Sequence, residues 1–199
     1  MIETEFDSSK DSEYAELFNE NNMHLTFKQS GSFLNSKFPM IRMTLFIPKS
    51  EFKEGTTIQI LDHFINNPEK RPKWDVTLKE YRNVEATDIY SILYSLMKKP
   101  NMFISQRDMI DKKIDFYANN RFYSFATSTP DEFQPATKEA ERAIDYISGY
   151  SIYEDETNFY FRSISQVDFK LPSVTSVMKF TLPPKLKEWY ANLKKAINE

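Results

Sequence analysis

The residues best equipped for chemistry sit in Arg71-Pro-Lys-Trp-Asp75, where a cation, a large aromatic and a carboxylate fall within five positions. An arginine and a carboxylate this close form either a buried clamp, in which each needs the other to survive burial, or an ordinary structural ion pair. Trp74 between them suits core packing. Further on, Arg107-Asp108 opens a strand after a loop. A charge-assisted hydrogen bond there would pin the loop to the strand. Lys113 lies on an alternating stretch beside Ile114; it can point into a cavity, although solvent is the usual place for a lysine. Asp75, Asp108 and Asp111 are carboxylates that sequence alone does not pair as acid and base.

Other chemistries lack their residues. There is no cysteine, and the two histidines, His24 and His63, have no carboxylates at ligand spacing, so no metal site is expected. No serine stands in a G-x-S-x-G turn. Three glycines in 199 residues are too few for a loop that cradles phosphates. The reading is of a protein without a metal or cofactor.

The elements that position these groups follow from periodicity. Ser12 to Asn21 reads as a short helix, with Tyr14, Leu17 and Phe18 on one face. Met23 to Gln29 and Phe38 to Ile47 alternate as strands, and Pro48 ends the second. Glu54 to Asn66 changes to helical spacing through Ile58, Leu61 and Ile65, and Asn67-Pro68 stops it. Six strands follow between Val76 and Asp168, with Asn119-Asn120 as a tight turn and longer loops at Lys99 to Gln106 and Ser128 to Lys138. Pro172 suits a first helical turn, and Val174, Val177 and Met178 continue that helix. Pro183-Pro184 must kink or restart it. Leu186, Trp189, Tyr190, Leu193 and Ile197 then form one apolar stripe. Lys185, Lys187, Lys194 and Lys195 lie off the stripe, and a solvated face is their simplest reading. This order gives an α+β architecture, a curved antiparallel sheet wrapped around a long C-terminal helix.

The length suits one domain with a sizeable core, read as a polar tail over residues 1–12 and a domain over 13–199. A net charge of −3 gives no argument for nucleic acid. Aromatics at 15% suit a wide core or a lined cavity. Met1 to Ser12 has neither a secretory nor a transit pattern, and no apolar run approaches the roughly 18 residues of a membrane span. The expected location is intracellular and cytoplasmic, or organellar if a presequence has been removed.

Four pieces in register carry a resemblance. Arg71-x-x-Trp74-Asp75 after a helix resembles the R-x-x-W-D of the START (steroidogenic acute regulatory protein related lipid transfer) domain. Ile104-Ser-Gln-Arg107-Asp108 is similar to that family's loop and R-D strand start. Arg142-Ala143 with Ser148-Gly149 is similar to its V-R-A…S-G strand. Asp168-Phe-Lys-Leu-Pro172 is similar to its lead-in to the last helix. With the elements before and after them, the match runs in order over roughly residues 13–198. The resemblance implies a helix-grip (START / Bet v 1-like) fold with an internal hydrophobic cavity for one lipid, gated by the Lys99–Gln106 loop and the last helix. It points to the phosphatidylcholine-transfer members, in which the positions of Arg71 and Asp75 face the headgroup. The chain departs from the sterol-binding pattern near Tyr94 or Ser95, where an acid is replaced; the basic partner that acid would pair with falls near Lys113. The aromatic choline cage does not map onto the chain.

The resemblance thus implies a soluble, non-catalytic lipid-binding and lipid-transport protein, with a phospholipid favoured over a sterol and with transient membrane contact. Arg71, Asp75, Tyr94, Arg107, Lys113, Trp189 and Leu193 are the candidate ligand-binding residues. Two other readings remain beside it. One is a structural accessory subunit with a filled cavity and a protein partner, in which Phe116, Phe125 and Phe161 occupy the space. The other is an enzyme of the wider helix-grip superfamily, which requires two cavity groups with displaced pKa values.

Overall fold

Alternation and tight turns build the sheet strand by strand. The computed structural model describes residues 12–20, 22–28, 38–99, 104–171 and 182–199. Its strands are β1 (Ala15–Glu20), β2 (Met23–Lys28), β3 (Met40–Pro48), β4 (Leu78–Ala86), β5 (Ser91–Met97), β6 (Gln106–Ala118), β7 (Arg121–Ser128), β8 (Ala140–Arg142), β9 (Ile144–Glu154) and β10 (Asn158–Asp168). The helices are α1 (Ile58–Asn66), α2, a single turn (Arg71–Trp74), and α3 (Leu182–Asn198). One ten-stranded sheet runs in the order β1-β2-β3-β10-β9-β7-β6-β5-β4, with β8 parallel to the start of β6. Every other pairing is antiparallel. The expected sheet around a C-terminal helix is therefore what the chain forms.

The first element corrects the sequence reading. Ala15–Glu20 is a strand paired with β2, not a helix. Its register shifts between Glu16 and Phe18, so Leu17 is an extra residue in a bulge. A bulge lets two adjacent residues serve one side, and Leu17 and Phe18 both pack against the core. That spacing imitates a helical stripe. The competing force is the open edge of β2, whose amides and carbonyls gain partners only from another strand.

Smaller differences have local causes. Gly55 holds φ at +82°, and the Thr57 side chain caps the helix by accepting from the Ile60 amide, so α1 begins at Ile58 rather than Glu54. A short additional strand, β8, precedes β9, so seven strands lie between Val76 and Asp168 where the sequence reading gave six. Both asparagines of the β6–β7 turn have positive φ, as a two-residue hairpin needs. Pro183 and Pro184 lie in the first turn of α3, where a missing amide costs little. Pro172, Val174, Val177 and Met178, the centre of the Lys99–Gln106 loop and nearly all of the N-terminal tail lie outside the described residues.

The inner face of the sheet carries the main core. Leu193 and Ile197 of α3 are fully buried against Met43, Ile152, Phe159 and Phe161, and α1 adds Leu61 and Ile65. Each such side chain contributes roughly 1.5–3 kcal/mol by leaving water. Trp74 and Trp189 meet edge to face at 5.5 Å, which joins α2 to α3. The four lysines of α3 are each paired with a carboxylate, Lys185 with Glu188, Lys187 with Glu20, Lys194 with Glu51 and Lys195 with Glu199. No helix among the described residues is long and apolar enough to cross a membrane.

One glycine is required by packing. A Cβ built on Gly149 of β9 lies 2.4 Å from a ring carbon of Phe125 and 2.9 Å from the Ser124 carbonyl oxygen. Gly149→Ala should therefore destabilise the protein by about 1–3 kcal/mol, read as a lower urea midpoint at unchanged slope.

Candidate functional site

The route to Arg71 starts at the end of α1. The side-chain oxygen of Asn67 accepts from the amides of Glu69 and Lys70, and its carbonyl accepts from the Arg71 amide. This turns the chain into α2. Trp74 then donates from Nε1 to the Phe64 carbonyl, which locks α2 onto α1. Arg71 points back across the turn. Its Nε donates to Asp75 Oδ2 at 3.1 Å, its Nη1 donates to the Ile65 carbonyl at 3.3 Å, and its guanidinium lies 4.9 Å from the Tyr81 ring centroid. Asp75 is fully buried, and its other oxygen accepts from the amide and hydroxyl of Thr77. Burial opposes charge on Arg71, but Tyr81 and Asp75 outweigh it and hold the guanidinium protonated.

Arg71 forms part of the wall of a half-open chamber of about 300 Å³ on the inner face of the sheet. Other wall residues are Asn66, Tyr81, Ser95, Asp111, Lys113, Ser124, Asp145, Ser148 and Tyr150. Ser163 and Ser165 of β10 complete one side. The same two serines border a second space of about 240 Å³, lined by Leu25, Ile41, Met43, Val167, Leu182 and Leu186 among others. A polar chamber and an apolar groove thus share one border, the groove running beside α3.

The chamber holds more acid than a protein interior usually tolerates. Asp62 of α1 lines the adjoining cleft, which shares Asn66 and Lys113 with the chamber, and accepts from Asn66 Nδ2 and from the Tyr150 hydroxyl at 3.1 Å. Burial nevertheless pushes its carboxyl up to about 6. Asp111 and Asp145 are buried more deeply. Burial raises Asp111 against a hydrogen bond from Ser128, and burial together with the neighbouring Asp111 raises Asp145. Lys113 is also turned inward and is 8% exposed, contrary to the expectation of solvent. Its ammonium is 2.9 Å from Asp115.

The structure brings only some of the candidate residues together. Arg71 and Lys113 line the chamber, with Asp75 behind Arg71 as its support. Tyr94 does not line it. It lies on the opposite face of β5 with Ile92, Leu96 and Ile110, while Leu93 and Ser95 face inward. Arg107 is equally remote. It donates to the carbonyls of Phe169 and Lys170 and to Ser105, and pairs with Glu141 at 3.0 Å. It ties the start of β6 to the chain leaving β10. Asp108 makes a two-pronged pair with Arg142 at 2.9 and 3.0 Å. Trp189 packs between Trp74 and Phe161, and Leu193 is buried in the main core. Among the described residues no group of His, Asp and Glu is arranged to hold a metal ion.

No known family profile matches the chain, and no curated protein matches its sequence. Solved structures do match its shape. Human StAR-related lipid transfer protein 5 superposes with a TM-score of 0.80 at 18% identity, covering 99% of this chain and 90% of that one. The chain has the START fold. Human STARD10 follows with a TM-score of 0.77 at 17% identity, over 96% of this chain and 78% of that one. A START-related lipid transfer protein from Xanthomonas axonopodis gives 0.66 at 11% identity, over 92% and 99%.

Sequence reasoning missed Asp145 and Ser148 as chamber residues. They lie among ordinary strand residues, and one of them reaches the inner face only because the strand register shifts. Asp62, Asp111 and Asp145 are all raised above their unfolded values. Their stabilising contribution is therefore complete below the ordinary carboxylate range and is lost as pH rises, through about 6 for Asp62 and higher for the pair. Asp155, held down to about 2 by Tyr160 and turn amides, acts only in more acid solution. The melting temperature should be higher at pH 5.5 than at pH 7.5, and Asp111→Asn should flatten that slope. Equal melting temperatures at both pH values would contradict the assignment.

Proposed function

We propose that this chain binds one lipid molecule, a phospholipid or related amphiphile, in the internal space and carries or senses it without altering it. The observation that carries this reading is the shared border at Ser163 and Ser165 between a polar chamber and an apolar groove. An amphiphile needs both, with its head among Arg71, Lys113 and the serines and its tail along Leu25, Met43 and Leu186. Small-molecule sites combine apolar walls with a few placed polar groups in this manner. The name of human StAR-related lipid transfer protein 5, a structure of the same fold, supports the same class.

Arg71 is assigned to a phosphate, which favours a phospholipid over a sterol. A guanidinium fixed by a carboxylate offers its remaining N–H donors in a rigid plane. Asp75 positions it. Tyr94, Arg107, Trp189 and Leu193 take framework roles, with α3 as the cover of the groove. The two spaces are at the small end for ligand sites, so a two-chain lipid requires Leu182 and Leu186 to move off the groove. Helix α3 is then a lid as well as a core element.

Of the three aromatics that would fill the space in an accessory subunit, only Phe161 faces inward. Phe116 and Phe125 stack on the outer face with Tyr123. Exposed Ile114, Phe116 and Tyr117 at the β6–β7 tip suit a protein partner, which is compatible with lipid binding. An enzyme reading draws on one observation, the two raised carboxyls in the chamber.

Native mass spectrometry of the purified protein, with extraction and identification of what it holds, tests these readings. The expected result is one lipid per chain, recovered chemically unchanged after prolonged incubation. Arg71→Ala should weaken retention by about tenfold or more, as loss of a charge-assisted contact does. Absence of lipid, even after exposure to liposomes, would sink the carrier reading. Conversion of the bound lipid would favour the enzyme.

A further inference from the structure

Among the described residues, two carboxylates of the chamber have no cation of their own. Asp111 on β6 and Asp145 on β9 flank the strand that carries Ser128. The Ser128 hydroxyl donates to Asp111 Oδ1 at 3.2 Å and accepts from the Asp145 amide at 2.7 Å. The two acids are 4% and 3% exposed. Each nearby cation has another carboxylate partner, Lys113 with Asp115, Arg142 with Asp108 and Arg71 with Asp75. Asp145 Oδ1 is buried and has no hydrogen-bond partner among the described residues. A buried carboxylate oxygen left unmatched is costly and requires a reason.

The backbone shows that the inward aim of Asp145 is built. Along β9, Ser148 and Tyr150 face the chamber and Ile147 faces outward. Simple alternation from there puts Asp145 on the outer face. The pairing with β10 instead shifts register, Gln166 opposite Ile147 and Val167 opposite Asp145, which leaves Tyr146 as an extra residue. This bulge turns Asp145 inward. Bulges are a common means of re-aiming one side chain at a site.

We propose that Asp111 and Asp145 together receive a primary ammonium group on the cavity ligand. The inference rests on the reading that the chamber takes an amphiphile's head, and narrows that head to an amine. A primary ammonium supplies both missing quantities. Its several N–H donors satisfy Asp145 Oδ1 and an oxygen of Asp111, and its charge allows the two carboxyls to ionise together, with their protons passing to solvent. A hydroxyl supplies a donor without charge. A quaternary ammonium supplies charge without a donor. Arg71 lies on the same wall, so a head with adjacent phosphate and ammonium engages both groups. A long-chain amine engages the acids alone.

The test offers the full chain, in separate arms, vesicles containing phosphatidylcholine, phosphatidylethanolamine, hexadecylamine or hexadecanol, and counts bound lipid by native mass spectrometry. Phosphatidylethanolamine and hexadecylamine are expected to bind at least about tenfold better than their partners without N–H donors or charge. Tighter binding of phosphatidylethanolamine than of hexadecylamine identifies a phosphate-bearing source. Equal binding identifies the ammonium alone. Asp111→Asn and Asp145→Asn keep size and polarity and remove the repulsion between the acids, so both should fold with undiminished melting temperatures. Both should lose the preference while keeping whatever phosphatidylcholine binding the wild type has. Equal uptake of all four lipids, or an amine preference that survives both substitutions, overturns the inference and leaves the carrier reading in place. Uptake of none overturns both.

Discussion

One helix is too narrow to cover this sheet. Nine strands lie side by side, which at about 4.8 Å per strand is roughly 40 Å of sheet, while a helix with its side chains is only about 10–12 Å across. Even with curvature, α3 can close only part of the inner face. It seals the part formed by β2, β3, β10 and β9, where the main core lies. The short α1 and α2 lean over another part. The chamber is the space left between these coverings, so a cavity follows from the geometry of the fold and not from missing side chains.

That geometry explains why the inner face changes character along the sheet. Under α3 it is Leu, Ile and Phe. Away from α3 it becomes Ser95, Asp111, Lys113, Ser124 and Asp145. Polar groups held out of water need partners, and most of these have them. Lys113 has Asp115, Asp111 has Ser128, and Arg71 has Asp75 and the Ile65 carbonyl. Among the described residues Asp145 is the exception, with one oxygen unmatched. A chamber meant only as filler has no use for such groups, since apolar side chains of equal volume are at least as stable.

The motif residues divide into two jobs. Arg107, Asp108 and Arg142 hold the frame, joining β6 to β8 and to the chain that leaves β10. They line neither the chamber nor the groove, and their charges are used on carbonyls, on Glu141 and Asp131, and on each other. The Arg71 turn joins frame to chamber, because Trp74 anchors it to α1 and α3 while the guanidinium faces inward. Arginine-aspartate pairs that look alike in sequence thus differ in what they face.

The sequence by itself determined the element types where periodicity was strong. The alternating strands from β2 onward, the apolar stripe of α3, the Asn-Pro stop after α1 and the Arg71-x-x-Trp74-Asp75 turn were all legible, because local spacing and turn chemistry govern them. It also determined what chemistry was absent, with no cysteine and few glycines. Tertiary structure alone decided the rest. Ala15–Glu20 became a strand because an open sheet edge outcompeted weak helical spacing. Tyr94 turned away and Lys113 turned inward because β5 and β6 took a register that only their neighbours could set. Asp145 entered the chamber through a single extra residue in β9. A strand has a period of two, so one added residue exchanges the faces of everything on one side of it. Which face a side chain sees is therefore a property of the whole sheet, and the most informative residue of this site could not be found by reading along the chain.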